Sequence, residues 1–510
     1  MAVARQKIRN LDELAGLLAG RRGQERLTVA HWQGVFDLLH IGHIKHFEEA
    51  KSLADVLVVT VTPDRFVNKG PGRPVFTEQL RMEAIAALEC VDYVAMTRNP
   101  IAVETITLIK PDFYVKGSDY RDAKDDLTGK IMDERAAVAA VGGQMHYTDD
   151  IVFSSSALIN THIAPPSENL ARFLGENQAQ LSFQEVQRYI EGCRGLRVLM
   201  IGESIIDEYQ YCSTMGKSGK EPILAAQYLS TEKSIGGVLA AANHVAEFCD
   251  HVQLLTQLGT EDSHEAFIRK HLNPHVQPHF QVLPGAPTTI KRRFVEHYPF
   301  QKMFEIYVMD DQAPRAQAGE LRKQLEALLP QVDLVIATDY GHGMLEGEIV
   351  KLLCDRAPYL AINTQKNAGN HGFNTVSKYR RAEFGSVYGA ELRLDARNRS
   401  DRVEILMQQV AEQLGCRHMV VTNGPEGSLC LQRGAGIVSV PALAQQFKDR
   451  VGAGDALFAV TAMCAYQDAP AAIVGWIGNA VGAQAVGTIA NREPVSKATV
   501  GKHLMHLLKK

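Results

Sequence analysis

The sequence predicts an α/β protein made of two doubly wound domains, each a mostly parallel sheet with helices on both faces. Short runs of β-branched residues alternate with helical patterns along most of the chain, and this alternation is typical of strand–helix–strand units. The chain has 510 residues, more than one hydrophobic core normally holds. A proline-containing stretch at residues 164–167 interrupts the alternation. A first domain is therefore expected before this stretch and a second after it.

Four segments are expected in chain order. They are a leading helix (1–25), a first doubly wound domain (26–165), a linker helix (166–195) and a second doubly wound domain (196–510). The predicted strands of the first domain lie at 27–30, 56–61, 91–96 and 113–115. The second domain opens with a strand at 196–202 and ends in a helix-rich tail that includes the apolar stretch 457–463. Because parallel sheets bind ligands at the carboxyl ends of their strands, the residues after each strand are candidate site residues.

Composition and charge exclude several classes of function. The formal net charge is −4, so no global positive field favours nucleic acid or anionic membranes. No apolar run is long enough to span a bilayer, and residues 1–7 lead into an amphipathic stretch rather than a signal-peptide core. The eight cysteines are scattered without a Cys-x-x-Cys pair, which indicates reduced thiols rather than a disulfide framework or a zinc site. We therefore expect a cytoplasmic protein that binds neither nucleic acid nor membrane.

The first motif follows the strand predicted at 27–30. Gly34 opens a turn, and His40 and His43, separated by Gly42, stand where a helix should begin. The first turn of a helix presents unpaired N–H groups and the positive end of the helix dipole, so it binds phosphate readily. Histidines at i and i+3 project from one face of that turn. A lone histidine in such a turn is usually a cap or a core residue, but the strand–glycine–helix context predicts a phosphate-chemistry site.

The second motif is the run from Asp449 to Asp455. A Gly-Ala-Gly turn at 452–454 opens an apolar helix and exposes backbone N–H groups that can cradle a transferring phosphate. The following aspartate, Asp455, is placed to accept a proton from an attacking hydroxyl. A plain glycine turn with a capping aspartate is the alternative for a shorter match. The flanking Asp449 and the apolar helix favour a second phosphate site.

Residues 26–163 resemble the cytidylyltransferase-like nucleotidyltransferases, and most closely the adenylyltransferase half of the bifunctional heptose kinase/adenylyltransferases of bacterial lipopolysaccharide precursor synthesis. Four separate pieces carry the resemblance, namely 34–43, 72–92, 115–120 and 154–159. The resemblance implies attack of a phosphate monoester on the α-phosphorus of a nucleoside triphosphate, with release of pyrophosphate. It leaves open whether the nucleotide is ATP or CTP. Mg²⁺ is expected because triphosphates carry it.

The same resemblance implies roles for residues in all four pieces. His40, His43 and Lys45 would stabilise charge on the reacting phosphates. The nucleotide-binding residues would be Gly34, Phe36, Asp37, Gly42, Arg81, Lys116, Gly117, Asp119, Ser154, Ser155 and Ser156. Asp37 has two interpretations, a turn cap or a metal ligand. Arg81 and Lys116 are either anion ligands or ordinary surface cations.

Two other classes are less consistent with the first motif. Class I aminoacyl-tRNA synthetases use the same His-x-Gly-His tetrapeptide, but they also need a Lys-Met-Ser-Lys-Ser-like loop, which this sequence lacks. Its charge gives no basic footprint for tRNA either. A non-catalytic nucleotide- or RNA-binding module is disfavoured because reactive residue types converge at both turns.

Residues 196–510 resemble the ribokinase-like (PfkB) sugar kinases. By that resemblance Asp455 is the catalytic base, and Gly452, Ala453 and Gly454 form the anion hole. The other matched positions are the sugar-hydroxyl acceptor Asp207 in the run 202–207 that ends the first strand of this domain, the glycine pair Gly236 and Gly237 over the sugar site, the nucleotide-loop residues Thr422, Gly424 and Gly427, and the Mg²⁺-organising Glu391. Ribokinase-like proteins commonly dimerise, so a homodimer is expected.

Three positions depart from the kinase pattern, and the order of the domains is reversed relative to the bifunctional family. The asparagine expected soon after the glycine pair is displaced to Asn243, Tyr388 stands in place of an amide, and His342 replaces a lysine. Loss of a buried hydrogen bond to a substrate hydroxyl changes specificity strongly. Two hypotheses follow. One is a bifunctional enzyme that makes an activated, heptose-type sugar. The other is an active nucleotidyltransferase, CTP-dependent and of glycerol-phosphate type, with a silent kinase-like domain for dimerisation or ligand sensing.

Overall fold

The computed structural model describes residues 2–67, 73–117, 130–148, 167–370, 372–444 and 447–508. The chain divides into two compact units, one of residues 1–167 with 501–510 and the other of residues 168–500. The four segment boundaries expected from the sequence remain predictions. Within the described ranges, every helix is too short or too polar to cross a membrane.

The first unit is built on a five-stranded parallel sheet. Its strands are β1 (Val29–Gly34), β2 (Val56–Val61), β3 (Tyr93–Met96), β4 (Phe113–Gly117) and β5 (Gln144–Thr148). They are arranged in the order β3-β2-β1-β4-β5 with all pairs parallel. The order reverses between β1 and β4, and the crevice at such a switch point is where doubly wound sheets bind ligands. The helices are Ala2–Lys7, Leu11–Arg22, Ile41–Ser52, Glu78–Ala86, Val103–Ile109 and Ile131–Ala140.

Both faces of this sheet are covered. Successive residues of a strand point to opposite faces, and along β2 Leu57 and Val59 join one hydrophobic cluster while Val56 and Val58 join another. The predicted leading helix is two helices, and Asn10 caps the second by accepting a hydrogen bond from the backbone N–H of Asp12.

The second unit contains two sheets. Its strands are β6 (Arg197–Gly202), β7 (Ser204–Lys217), β8 (Leu224–Gly237), β9 (His251–Glu261), β10 (Val276–Pro287), β11 (Thr289–Glu296), β12 (Gln301–Val308), β13 (Leu334–Asp339), β14 (Leu360–Thr364), β15 (Phe384–Tyr388), β16 (His418–Thr422), β17 (Ser428–Gln432) and β18 (Gly436–Val440). The larger sheet has the order β10-β9-β6-β13-β14-β15-β16-β17-β18 and is parallel from β10 to β16. The smaller sheet has the order β12-β11-β7-β8. The predicted fold class, two doubly wound α/β units, is confirmed.

The described part of the second unit also contains helices before, between and after its strands. They are Glu168–Glu176, Phe183–Glu191, Val238–Ala246, Glu265–His271, Ala313–Ala316, Ala318–Leu328, Gly347–Arg356, Gly389–Asp395, Val403–Leu414, Ala453–Tyr466 and Ala471–Ala485. A last helix, Lys497–Leu508, ends the described chain. The segment predicted as one linker helix at 166–195 is two helices, and the ring of Phe173 in the first lies 5.6 Å from that of the buried Trp476.

The sequence predicted that Asp207 lies at the end of the first strand of this unit, and the structure shows that this prediction is wrong. β6 ends at Gly202, and β7 begins two residues later in the smaller sheet. Asp207 is the fourth residue of β7, paired with Ser234 of β8 and with Lys291 of β11. A side chain at Gly202 would overlap the backbone of Thr338. Gly202 therefore lets the chain leave the larger sheet close to β13.

Candidate active sites

The turn after β1 is held in a strained conformation. Phe36 has a φ of +50°, which non-glycine residues rarely adopt and which costs free energy. Its ring is held between Phe47, 5.2 Å away, and Trp32, 6.4 Å away, measured between centroids. A Cβ at Gly34 would lie 2.6 Å from Cζ of Phe36, so a glycine is required there. Packing thus fixes the direction in which the chain enters the next helix.

The two motif histidines meet at the start of helix Ile41–Ser52. His40 is the N-cap residue, and its ring stacks on that of His43 with centroids 3.9 Å apart and planes inclined by 25°. The ring of Phe36 meets His43 edge-on at 5.4 Å. The structure therefore brings together the two imidazoles that the i, i+3 spacing predicted, beside backbone N–H groups that attract anions.

Asp37 organises the turn through two buried hydrogen bonds. Its carboxylate accepts from Nη1 of Arg73 at 2.8 Å and from the backbone N–H of Val75 at 2.6 Å. The side chain is fully buried. Of the two interpretations left open by the sequence, these contacts favour the turn-organising one, and among the described residues there is no cluster of three or more potential metal ligands.

Arg81 clamps the same turn from the other side. Its guanidinium donates to the carbonyl oxygens of Val35 and Thr62 and to the carboxylate of Asp64. The side chain is buried. These contacts use its donors within the protein, so Arg81 supports the loop that carries the histidines.

Lys116 and Lys45 lie in different environments. Nζ of Lys116, near the end of β4, is 2.9 Å from a carboxylate oxygen of Glu134, and both side chains are largely buried. Lys45 is exposed and stands two residues after His43, about 200° around the helix, so its side chain leaves from a different face. Gly117 ends β4 beside Lys116. The remaining predicted residues of this site, Asp119, Ser154, Ser155 and Ser156, lie outside the described residues.

In the second unit, one cavity of about 690 Å³ gathers most of the predicted kinase residues. Its lining includes Asp207, Gly237, Thr422, Gly424, Gly427, Gly452, Ala453, Gly454 and Asp455. Gly236 does not line it, but a Cβ there would overlap the carboxylate of Asp207. The structure therefore brings the candidate base, anion hole, nucleotide loop and sugar acceptor into one space.

The anion hole is the first turn of helix Ala453–Tyr466. Gly452 is its N-cap residue with a φ of +80°, and a side chain there would overlap the amide of Asn491. Nothing lies within 4 Å of a Cβ placed at Gly454. The turn is therefore open on the cavity side, where its N–H groups can reach a phosphate.

Asp455 has the environment of a general base. Its carboxylate accepts a hydrogen bond from Nε2 of Gln365 at 2.5 Å. Burial raises its pKa to about 7, against the opposing effects of Tyr340, Lys291 and Gln365. A general base works best when its pKa lies near the working pH.

Asp449 anchors the segment before the predicted anion hole. Its carboxylate accepts from Nζ of Lys302 at 2.5 Å, from the hydroxyl of Tyr209 at 2.7 Å and from the backbone N–H of Val451 at 3.1 Å. Burial opposes its ionisation, but the hydrogen bonds from Lys302 and Tyr209 hold its pKa below the ordinary value.

The acceptor end of the cavity carries two cations that the sequence analysis missed. Arg293 donates a short hydrogen bond to the carboxylate of Asp207, and Lys291 is the register partner of Asp207 on β11. Burial lowers the pKa of Lys291, and the negative charge of Asp207 opposes that effect. Lys291, Arg293 and Val295 are the buried, alternating positions of β11. Charged residues at the inward positions of a strand are the signal that would have found them.

Asn243, one of the departures from the kinase pattern, and Glu391, the proposed Mg²⁺ organiser, both make structural hydrogen bonds. Asn243 donates to the carbonyl oxygen of His271 and accepts from the backbone N–H of Asn273, both at 2.8 Å. It therefore links helix Val238–Ala246 to the C-terminal end of helix Glu265–His271. Glu391, the proposed Mg²⁺ organiser, accepts backbone N–H groups of Tyr388 at 3.1 Å and Lys366 at 2.9 Å. Both of its oxygens are therefore used to hold the ends of β14 and β15.

His342 is buried in a polar setting. Its backbone N–H donates to the carboxylate of Glu203 at 3.1 Å, and its Nδ1 lies 3.2 Å from Asp311. Burial lowers the pKa of His342, and so does the nearby Lys291, against the attraction of Asp311. His342, which replaces the lysine of the kinase pattern, therefore lies near Lys291, and Lys291 supplies a positive charge close to the end of β13.

Comparison with known proteins finds similarities in both halves of the chain. Residues 32–161 match the family model of cytidylyltransferase-like proteins, and residues 375–498 match that of the pfkB carbohydrate kinases. The chain is 37% identical over 145 residues to the bifunctional protein HldE of Syntrophotalea carbinolica, covering 28% of each protein. It is 40% identical over 130 residues to HldE of Trichlorobacter lovleyi, covering 25% of this chain and 26% of that one.

The chain thus spans about a quarter of the length of the curated relatives that it matches. Among solved structures, a ribokinase from Thermotoga maritima aligns with a TM-score of 0.48 and 16% identity over 61% of this chain and 99% of that one. The two family-model matches thus give a cytidylyltransferase-like domain in the N-terminal part and a PfkB carbohydrate kinase domain in the C-terminal part, the reverse of the HldE order, as the sequence predicted.

The ionisation of Asp455 should make stability depend on pH. Because its pKa is about 7 in the folded protein and about 3.9 in an unfolded chain, its contribution to stability is complete below pH ~4 and is lost as the pH rises through ~7. The Asp455→Asn variant lacks this ionisation. Its free energy of unfolding relative to wild type should therefore rise between pH 5 and pH 8, as measured by urea unfolding with Trp476 fluorescence.

The control is Asp250→Asn. Hydrogen bonding from Arg194 lowers the pKa of that exposed carboxyl. Asp250 of the wild type is therefore ionised in both the folded and the unfolded state from pH 5 to pH 8. The difference in unfolding free energy between Asp250→Asn and wild type should be constant over that range. A difference for Asp455→Asn that is equally constant from pH 5 to pH 8 would contradict the raised pKa.

Proposed function

We propose that this protein makes an activated sugar in two reactions. The N-terminal unit transfers a nucleotidyl group from a nucleoside triphosphate to a sugar or polyol phosphate and releases pyrophosphate. The C-terminal unit phosphorylates a sugar or sugar phosphate with ATP, and a heptose-type substrate fits both family resemblances. The observation that carries the proposal is the stacked His40–His43 pair at the start of a helix, joined in the same chain by Asp455 at the start of another.

In the N-terminal reaction, the chain's contribution is binding and charge stabilisation. A phosphate oxygen of the acceptor attacks the α-phosphorus, and the bond to the departing pyrophosphate breaks. Such transfers need in-line placement and neutralisation of charge more than covalent help. The imidazoles of His40 and His43 and the first N–H groups of their helix would donate hydrogen bonds to the phosphates as charge moves to the leaving group. ATP and CTP both remain candidates for the nucleotide.

In the C-terminal reaction, Asp455 accepts the proton of the attacking hydroxyl while Gln365 holds its carboxylate in place. The hydroxyl oxygen bonds to the γ-phosphorus, ADP leaves, and the N–H groups of the 452–454 turn stabilise the transferring group. Lys291 and Arg293 add positive charge at the acceptor end. An acceptor that already carries a phosphate is therefore favoured over a neutral sugar.

Mg²⁺ is expected to enter with the triphosphate rather than to occupy a protein cage. Among the residues that the structure describes, no three potential metal ligands lie together, and both oxygens of Glu391 accept backbone N–H groups. When bound, the ion neutralises phosphate charge. Because both reactions use nucleoside triphosphates and small sugar phosphates, the proposal includes a cytoplasmic location.

A second candidate is an active nucleotidyltransferase with a silent kinase-like domain, in the version that uses CTP and a glycerol-phosphate-type acceptor. Three observations favour it. Asp207, the expected sugar acceptor, is already paired with Arg293, Asn243 serves a structural contact, and Tyr388 replaces the expected amide. The two candidates differ in whether the second unit turns over ATP.

The transferase proposal predicts release of pyrophosphate. Incubation with ATP or CTP, Mg²⁺ and a panel of sugar and polyol phosphates should give pyrophosphate with at least one pair, and His40→Ala should lower that rate by roughly 10²-fold because a donor to the developing charge is lost. His146→Ala is the matched control, because His146 lies in the same unit and contacts Glu49. Lack of pyrophosphate with every pair, or an undiminished rate in His40→Ala, would overturn the proposal.

The kinase proposal predicts ADP formation that depends on Asp455. With a phosphorylated acceptor, Asp455→Asn should lower kcat by about 10²- to 10⁴-fold, the usual effect of losing a general base, and wild-type kcat/KM should fall below pH ~7 as Asp455 is protonated. Asp250→Asn should leave the rate unchanged. If ADP formation is absent with every acceptor while pyrophosphate release persists, the silent-domain candidate is favoured instead.

The proposal also includes a homodimer through the smaller sheet of the second unit. Strand register places Phe304, Ile306 and Tyr228 on the face opposite Lys291 and Arg293, and all three are exposed by 45–60%. Covering these three exposed apolar side chains would favour self-association. The double variant Phe304→Glu/Ile306→Glu should be monomeric in light scattering while the wild type is dimeric, and a monomeric wild type would contradict the prediction.

A further inference from the structure

Residues 501–510 belong to the first unit, although the sequence predicted that they end the second domain (196–510). That unit consists of residues 1–167 together with 501–510. In this part of the last helix, His503 and His506 are buried at 3% and 6% exposure. Burial lowers the pKa of His503 to about 4, so its imidazole is neutral near pH 7. The helix end is thus packed as part of a folded unit.

His506 contacts the residue that braces the His-x-Gly-His loop. Nη2 of Arg73 lies 2.5 Å from Nε2 of His506, and Nη1 of Arg73 donates to Asp37 at 2.8 Å. A guanidinium has donors and no acceptor, so the imidazole accepts in this contact. The side chains of Arg73 and Asp37 are 8% and 0% exposed. One buried guanidinium therefore joins the C-terminal helix to the loop that leads to His40.

The geometry makes this guanidinium sensitive to both partners. A buried ion pair is stable only when its remaining donors are also satisfied, and the planar fork of arginine fixes the directions of its two Nη groups together. If the contact to His506 is lost, Arg73 can rotate toward solvent, and the direction of its bond to Asp37 changes with it. Asp37 lies three residues before His40, so its displacement moves the loop.

We propose that His506 is a positioning residue of the N-terminal site, acting through Arg73 and Asp37 to fix the loop that begins at Gly34 and ends at His40. The C-terminal end of the chain is then a structural part of the nucleotidyl-transfer site. The kinetic consequence rests on the proposed function, because it assumes that His40 and His43 act on phosphates. The structural consequence, a more mobile loop when His506 is changed, holds whatever reaction the site performs.

The test compares His506→Ala and His506→Gln in the full-length protein. In His506→Ala, peptides covering residues 35–43 should exchange their amide hydrogens faster, and kcat for pyrophosphate release should fall about tenfold because small displacements of reacting groups are costly. In His506→Gln, the amide oxygen can accept from Arg73, so both properties should return toward wild type. Met505→Ala, on the same turn of the helix and without a polar side chain, is the control and should match wild type.

Each outcome decides the proposal. Unchanged exchange over residues 35–43 in a folded His506→Ala protein would overturn it. If His506→Ala fails to fold, as judged by Trp32 fluorescence, Arg73→Lys is measured instead. Faster exchange over residues 35–43 in Arg73→Lys, together with wild-type-like exchange in His506→Gln, would support the proposal. Wild-type exchange in Arg73→Lys would overturn it. If wild type releases no pyrophosphate with any substrate, the proposed function fails, and the exchange measurement alone decides the role of His506.

Discussion

Backbone N–H groups at the start of two helices are the interaction on which both candidate sites depend. In the first unit the chain leaves β1, turns at Phe36 and begins helix Ile41–Ser52, and in the second Gly452 leads into helix Ala453–Tyr466, whose first residues line the cavity. Each helix start leaves backbone N–H groups without a partner inside the helix. Those groups attract phosphate without any side chain. In the proposed reactions the side chains that differ between the sites supply the chemistry. His40 and His43, which stack on each other, would donate to a phosphate chain, and Asp455, which Gln365 holds, would accept a proton from a hydroxyl.

Such turns need external support because their backbones are unusual. Phe36 and Gly452 both have positive φ angles. The first turn is braced by two buried arginines, Arg73 on Asp37 and Arg81 on carbonyl oxygens. In the second unit Asp449 receives the hydrogen bonds that hold the approach to the anion hole. In both units, therefore, charged residues beside the candidate site stabilise the turn rather than project into the space where a ligand would bind.

The second site balances charges of both signs in a buried space. Burial raises the pKa of Asp455 and lowers that of Lys291, so it favours the neutral form of each group. The opposite charges of the two groups favour their ionised forms and so oppose the effect of burial. Arg293 stays paired with Asp207. An anionic acceptor entering this end would meet two cations and one carboxylate.

The sequence by itself determined the fold class, the two candidate phosphate motifs and the family resemblance of each half, because these are local properties. A strand, a glycine turn and the first turn of a helix lie within about fifteen residues, and helical spacing alone brings His40 to His43. Asp207 was identified but placed at a strand end, since the sequence does not show where a chain leaves one sheet for another.

Only the tertiary structure decided which distant residues complete the sites. Lys291 and Arg293 reach Asp207 from a strand more than eighty residues later in the chain, Gln365 reaches Asp455 across ninety residues, and His506 reaches Arg73 from the far end of the chain. These contacts follow from strand order and packing, which local patterns do not encode. The sequence therefore located the groups proposed to act on phosphate, and the fold selected the groups that hold them in place.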